Sequence, residues 1–97
     1  MIKVLISKDA KLDFKEASEH YGMISFELKK RFRQNFYSTI EQLKQIPHFQ
    51  IRYDNFRIRQ VKGFPIMIHY ILVKDPDIIK IYGIRFAQQN PENYPKT

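Results

Sequence analysis

Arg57 and Arg59 are the residues of this chain best placed by type and spacing to do chemistry. Side chains alternate along a strand, so residues two apart share a face at roughly 6–7 Å, close to the phosphate repeat of nucleic acid. Guanidinium forks suit phosphate oxygens and the negative charge that develops when a phosphate is attacked. Residues 56–61 read as such a strand. Phe56 and Ile58 are expected to meet the core, leaving Arg57 and Arg59 on the open face. The competing reading is an edge strand whose charges block edge-to-edge aggregation. Arg52, Lys62 and Arg85 add charge from flanking segments, and Lys29, Lys30 and Arg33 add it from a helix. Tyr94 stands in a polar tail, where a phenol can stack on a base, move a proton, or simply anchor the chain end by packing. His69 sits in an apolar strand, the ordinary setting of a satisfied sheet histidine. His20 and His48 have no metal-ligand spacing, so no metal is expected. No glycine-rich phosphate loop or nucleophile motif occurs, and nothing points to a cofactor.

The elements that must carry these residues fit one domain spanning residues 1–97, since a chain of 97 residues buries one modest core. A hydrophobic share of 43 % with 14 % aromatics supplies that core and argues against disorder. The absence of cysteine excludes a disulfide framework and fits a reducing cytoplasm. No stretch approaches the length of a membrane span, so a soluble, cytoplasmic protein is expected. The net charge is +7, from 17 basic and 10 acidic residues. Residues 24–62 hold nine Lys/Arg against Glu27, Glu41 and Asp54, which is +6 of that total. Such a localised patch points to a polyanion or an acidic protein partner.

Residues 2–6 read as a buried strand, with Ser7 or Asp9 capping a helix whose apolar face is Ala10, Phe14, Ala17 and Tyr21. Gly22 is the expected stop. A second helix spans about 25–45, with Leu28, Phe32, Phe36, Ile40 and Leu43 in one stripe and Pro47 beyond its end. Residues 48–55 read as irregular. Three strands are expected at 56–61, 64–73 and 78–86. A two-residue turn at Lys62-Gly63 joins the first two, and a proline-built turn over 74–77 joins the last two. Residues 90–97 form a polar, proline-containing tail. The order is β-α-α-β-β-β, an α+β fold with a helical hairpin on one face of a mostly antiparallel, curved sheet.

Five pieces in order resemble the RelE/ParE family of toxins from type II toxin–antitoxin systems. They are Ala10-x-x-Asp13-Phe14 with Tyr21, the Phe32/Phe36 helix ending at Pro47, Arg57 with Arg59, Phe64-Pro65-x-x-Ile68-x-Tyr70, and Asn90-Pro91-x-x-Tyr94. The resemblance covers nearly the whole chain and implies the same fold. It also implies a cognate antitoxin that covers the basic surface, and one of two activities. Members either cleave messenger RNA on the ribosome or poison DNA gyrase. In the nuclease case the resemblance assigns phosphate stabilisation to Arg57 and Arg59, and proton transfer or base stacking to Tyr94. The chain has Phe86 and Gln89 where many relatives carry a His and an Arg, and Tyr94 where they often carry a Trp. These departures fit the gyrase branch or an inactive relative. A non-catalytic basic module that binds RNA or protein is the alternative from another class.

Overall fold

The computed structural model describes residues 2–73, 77–88 and 90–96. Gln89 and positions 74–76 of the expected proline turn lie outside the described residues. Strand β1 (Lys3–Ile6) leads into helix α1 (Lys8–Ile24), and helix α2 (Phe26–Gln45) follows after one residue. Ser7 is the cap that starts α1, its hydroxyl accepting from the Ala10 N–H at 3.0 Å. Gly22 does not end the helix. The chain runs on to Ile24 because Ser25 serves both helices. Its N–H donates to the Tyr21 carbonyl, and its Oγ accepts from the Leu28 N–H at 3.0 Å.

The sheet has the expected strands and one more. Within the segment expected to be irregular, β2 (Ile51–Tyr53) pairs antiparallel with β3 (Phe56–Gln60) through a turn in which Asp54 takes φ 47°. A three-residue strand with a bulge has too little alternation to announce itself. β4 (Ile66–Val73) and β5 (Ile78–Phe86) complete the order β1-β5-β4-β3-β2. All pairings are antiparallel except β1 with β5. The β3–β4 connection is longer than the expected two residues. Val61 donates to the Ile66 carbonyl and Phe64 to that of Val61, with Gly63 at φ 78°. Pro65 has no N–H to give to a ladder, so pairing resumes only at Ile66.

One layer of helices covers one face of the sheet. Phe32, Phe36, Ile40 and Leu43 of α2 and Ala10, Ala17 and Tyr21 of α1 bury against Ile66, Ile68, Tyr70, Ile79, Ile81 and Ile84. Tyr21, Phe32 and Phe64 meet edge-on or tilted at 5.0–5.3 Å, a geometry that adds to the area they bury. A bulge in β5 shifts the register between His69 and Tyr70, so that His69 faces Gly83 and Tyr70 faces Ile81. Residues 67 and 69 therefore point away from the helices, and 66, 68 and 70 toward them.

Candidate functional site

That alternation decides where the arginines go. Arg57 lies opposite Tyr70 and Arg59 opposite Ile68, both core partners. Arg57 and Arg59 are thus on the helix side of the sheet, which corrects the expectation that they line the open face. The reason is that Phe56 is buried on the other side. It stacks on Tyr53 at 4.8 Å and meets Tyr82 edge-on at 5.5 Å. Both arginines emerge where α2 ends. Arg57 Nη1 donates to the Phe49 carbonyl. Arg59 Nη2 donates to Gln42 Oε1 at 3.0 Å, and its guanidinium lies 4.7 Å over the Phe49 ring. Tyr70, from the core face, donates to the Pro47 carbonyl at 2.8 Å. Together these bonds hold the segment 46–50 against the sheet. Neither arginine has a carboxylate partner, since the ion pairs among the described residues are Lys44–Glu41 and Arg85–Asp13. Arg57 Nε is buried without an acceptor among the described residues.

The open face belongs to Tyr53, His69 and Tyr94. The tail folds back over the sheet, where Tyr94 packs 4.8 Å from His69 and 5.2 Å from Tyr53. Pro95 sits on Gly83 so closely that an added Cβ would lie 2.1 Å from its ring. The Tyr53 hydroxyl donates to the Pro95 carbonyl at 3.0 Å and lies 2.9 Å from His69 Nδ1. A phenol has one hydrogen, so His69 must donate from Nδ1 to Tyr53. His69 is 1 % exposed. Burial, and then the charge of Arg85, lower its pKa to about 4. Burial first, and the neighbouring Tyr94 second, push Tyr53 up to about 12. Near neutral pH both groups are therefore held in their neutral forms.

Arg85 closes the edge of the sheet. β1 ends opposite Ile81, so the next N–H groups of β5 have no strand to pair with on that side. The Asp13 carboxylate takes that place, accepting from the Ile84 N–H at 3.1 Å and from Arg85 Nε at 2.9 Å. Arg85 Nη1 then donates to the Asn93 carbonyl at 2.9 Å and ties down the tail. The tail, this edge and the start of α1 enclose an open cleft of about 620 Å³.

The residues read from sequence as one site are therefore dispersed. Arg57 and Arg59 share the corner where α2 ends against the sheet, and Arg52 is exposed on β2. Lys62 lies in the β3–β4 loop, which Asn35 and Thr39 pin to α2. Lys30 and Arg33 are on the outer surface of α2, Arg33 lying 5.1 Å over Phe14, and Lys29 is half-buried beside Gly22. Arg85 and Tyr94 are brought together at the β5 edge, where both line the open cleft, and Tyr94 is on the far face of the sheet from Arg57. Sequence reasoning missed Tyr53, which falls in the segment read as irregular. It also missed Gly83, whose only signal is a glycine inside an apolar strand.

This architecture, a two-helix hairpin on one face of a mixed five-stranded sheet, has a solved counterpart. In particular, a solved chain of the chromosomal ParDE TA system from P. aeruginosa is similar over 91 % of this chain and 98 % of that one. Its TM-score is 0.76, at 16 % identity. No family model and no curated protein matches the sequence. Among the described residues no helix is long and apolar enough to cross a membrane, and no group of His, Asp or Glu is arranged to hold a metal ion.

Proposed function

We propose that this protein is the toxin of a type II toxin–antitoxin system and that it stops growth by binding its target rather than by cutting RNA. The likeness of fold to a chain of a ParDE system supports the first part. One observation carries the second: the sheet stands between Arg57 and Arg59 on its helix side and Tyr94 on the other. A general acid or base and a phosphate clamp must reach the same phosphodiester, within hydrogen-bond distance of its oxygens. Here Tyr94 and the pair Arg57 and Arg59 cannot do so without unpacking the domain. DNA gyrase is the first target to test, and an antitoxin encoded beside the toxin is the expected neutralising partner.

The test is inducible expression with and without the adjacent gene, followed by mapping of transcript ends and a gyrase supercoiling assay. The expected result is growth arrest relieved by the neighbour, with inhibited supercoiling and no new transcript ends. Ribosome-dependent cleavage that disappears in the Arg57→Ala, Arg59→Ala double variant would overturn the non-catalytic reading. Normal growth would leave a basic binding module as the better description.

A further inference from the structure

We infer that the tip of the helical hairpin is a contact between two copies of this chain, joined tip to tip about a two-fold axis. The inference is separate from the proposed function, since self-association needs neither a target nor an antitoxin. Met23, Ile24 and Phe26 fall within four positions where α1 passes into α2. They are 89 %, 63 % and 73 % exposed, so no described element covers them. Met23 and Phe26 line one open depression of about 440 Å³ together with Glu19, Gly22 and Lys29. Helical spacing explains the grouping. Glu19 and Met23 are four apart on α1, and Phe26 and Lys29 are three apart on α2, so each pair shares a helix face. Gly22 lies inside the last turn of α1, where an added Cβ would stand 3.0 Å from Lys29 Cδ. Its bare backbone leaves room for the Lys29 stem to reach across to α1.

Charge identifies the occupant. The depression carries one carboxylate and one ammonium on opposite helices, and neither belongs to an ion pair among the described residues. A polyanion or a uniformly acidic segment would set its charge against Glu19, and a basic segment would set its charge against Lys29. A second copy turned by two-fold symmetry offers each group its opposite. Glu19 of each copy then meets Lys29 of the other, while the Met23 and Phe26 side chains cover one another. The rest of the molecule favours the same arrangement. A net charge of +7 makes two copies repel. Arg59, bonded to Gln42, lies at the other end of the 20-residue α2, about 30 Å from the tip, so joining the tips keeps the arginines of β3 apart. Three apolar side chains of about 200 Å² each fall short of the roughly 800 Å² per partner of a standard interface. The dimer is therefore weak, with a dissociation constant of about 0.1 mM.

Sedimentation equilibrium of the full chain from about 0.01 to 1 mM tests this. The mass is expected to rise from that of one chain to that of two and to stop there. Met23→Asp, Lys29→Glu and Glu19→Lys should each raise the dissociation constant at least about tenfold. The two charge variants, monomeric alone, should associate when mixed, because the mixture restores both Glu–Lys contacts. A single chain carrying both Glu19→Lys and Lys29→Glu should dimerise as the parent does. Circular dichroism matching the parent's confirms that each variant is folded. Ile46→Asp, exposed at the far end of α2, should leave the dimer unchanged. A chain that stays monomeric at about 1 mM would overturn the inference and leave the tip to a different protein. Dimers that survive Met23→Asp, assemblies that grow past two copies, or charge variants that do not recover on mixing would overturn it as well.

Discussion

Replacing Gly83 by alanine should lift the tail from the sheet without touching the helical core. The new methyl carbon would lie 2.1 Å from Pro95 Cγ and 3.1 Å from its Cβ, and a proline ring cannot swing aside. Lifting the tail breaks the Tyr53–Pro95 hydrogen bond, worth about 1 kcal/mol. It also separates Tyr94 from His69 and Tyr53, at about 0.5–1.5 kcal/mol for each ring pair. Alanine restores about 0.5–1 kcal/mol through the smaller conformational freedom of the unfolded chain. The net cost is then about 2 kcal/mol, which in a domain this small lowers Tm by roughly 10 °C. The same change exposes His69, whose pKa of about 4 depends chiefly on burial, so its titration should move up toward 6.5. Calorimetry and an NMR titration of the imidazole read the two effects separately. A variant in which His69 still titrates near 4 and Tm moves by less than roughly 2 °C would refute the assignment of the tail as the cover of this face.

Stability should fall with acidity for the same reason. The folded pKa of His69 is about 4 and the usual value is 6.5, so the unfolded chain binds the extra proton between those limits. Its contribution is complete above about pH 6.5 and is lost toward pH 4, a change of about 3 kcal/mol. Urea unfolding across that range checks it, and a slope that persists unchanged in His69→Gln would assign the effect elsewhere. Asp13→Ala should cost about 2–3 kcal/mol, because it strands the Ile84 N–H and the partly buried Arg85 together. Asp13→Asn, which keeps one acceptor oxygen, should cost about half of that. Denaturant midpoints and hydrogen exchange at Ile84 measure both, and exchange at Ile84 that Asp13→Ala leaves unaltered would contradict the edge-capping role.

Much of this fold was legible in the residues. The α2 stripe of Phe32, Phe36, Ile40 and Leu43 faces the sheet as its spacing requires, and the helix stops before Pro47. The two-helix hairpin and the strands at 56–60, 66–73 and 78–86 followed from periodicity and turn residues. What alternation could not supply was a direction. In β3, Phe56 and Ile58 share one face and Arg57 and Arg59 the other, but the pattern does not say which face meets the helices. The usual choice, apolar side inward, fails because the open face has its own aromatic cover in Tyr53, Tyr82 and Tyr94. Tyr53 comes from a strand too short to read, and Tyr94 arrives from a tail nearly the full chain length away from β1. The site was misread because its lid is non-local.

The parallel pair of β1 with β5 sets an order of events during synthesis. Lys3 lies opposite Ile78 and Ile6 opposite Ile81, so the first strand made waits for the last. At about 5–20 residues per second, the ribosome leaves Val4 and Ile6 without their sheet partners for several seconds. The helical hairpin between them can form from local contacts in that interval, but the sheet cannot close. Each new copy therefore passes through a stage in which its helical hairpin can be formed while its first strand is still unpaired.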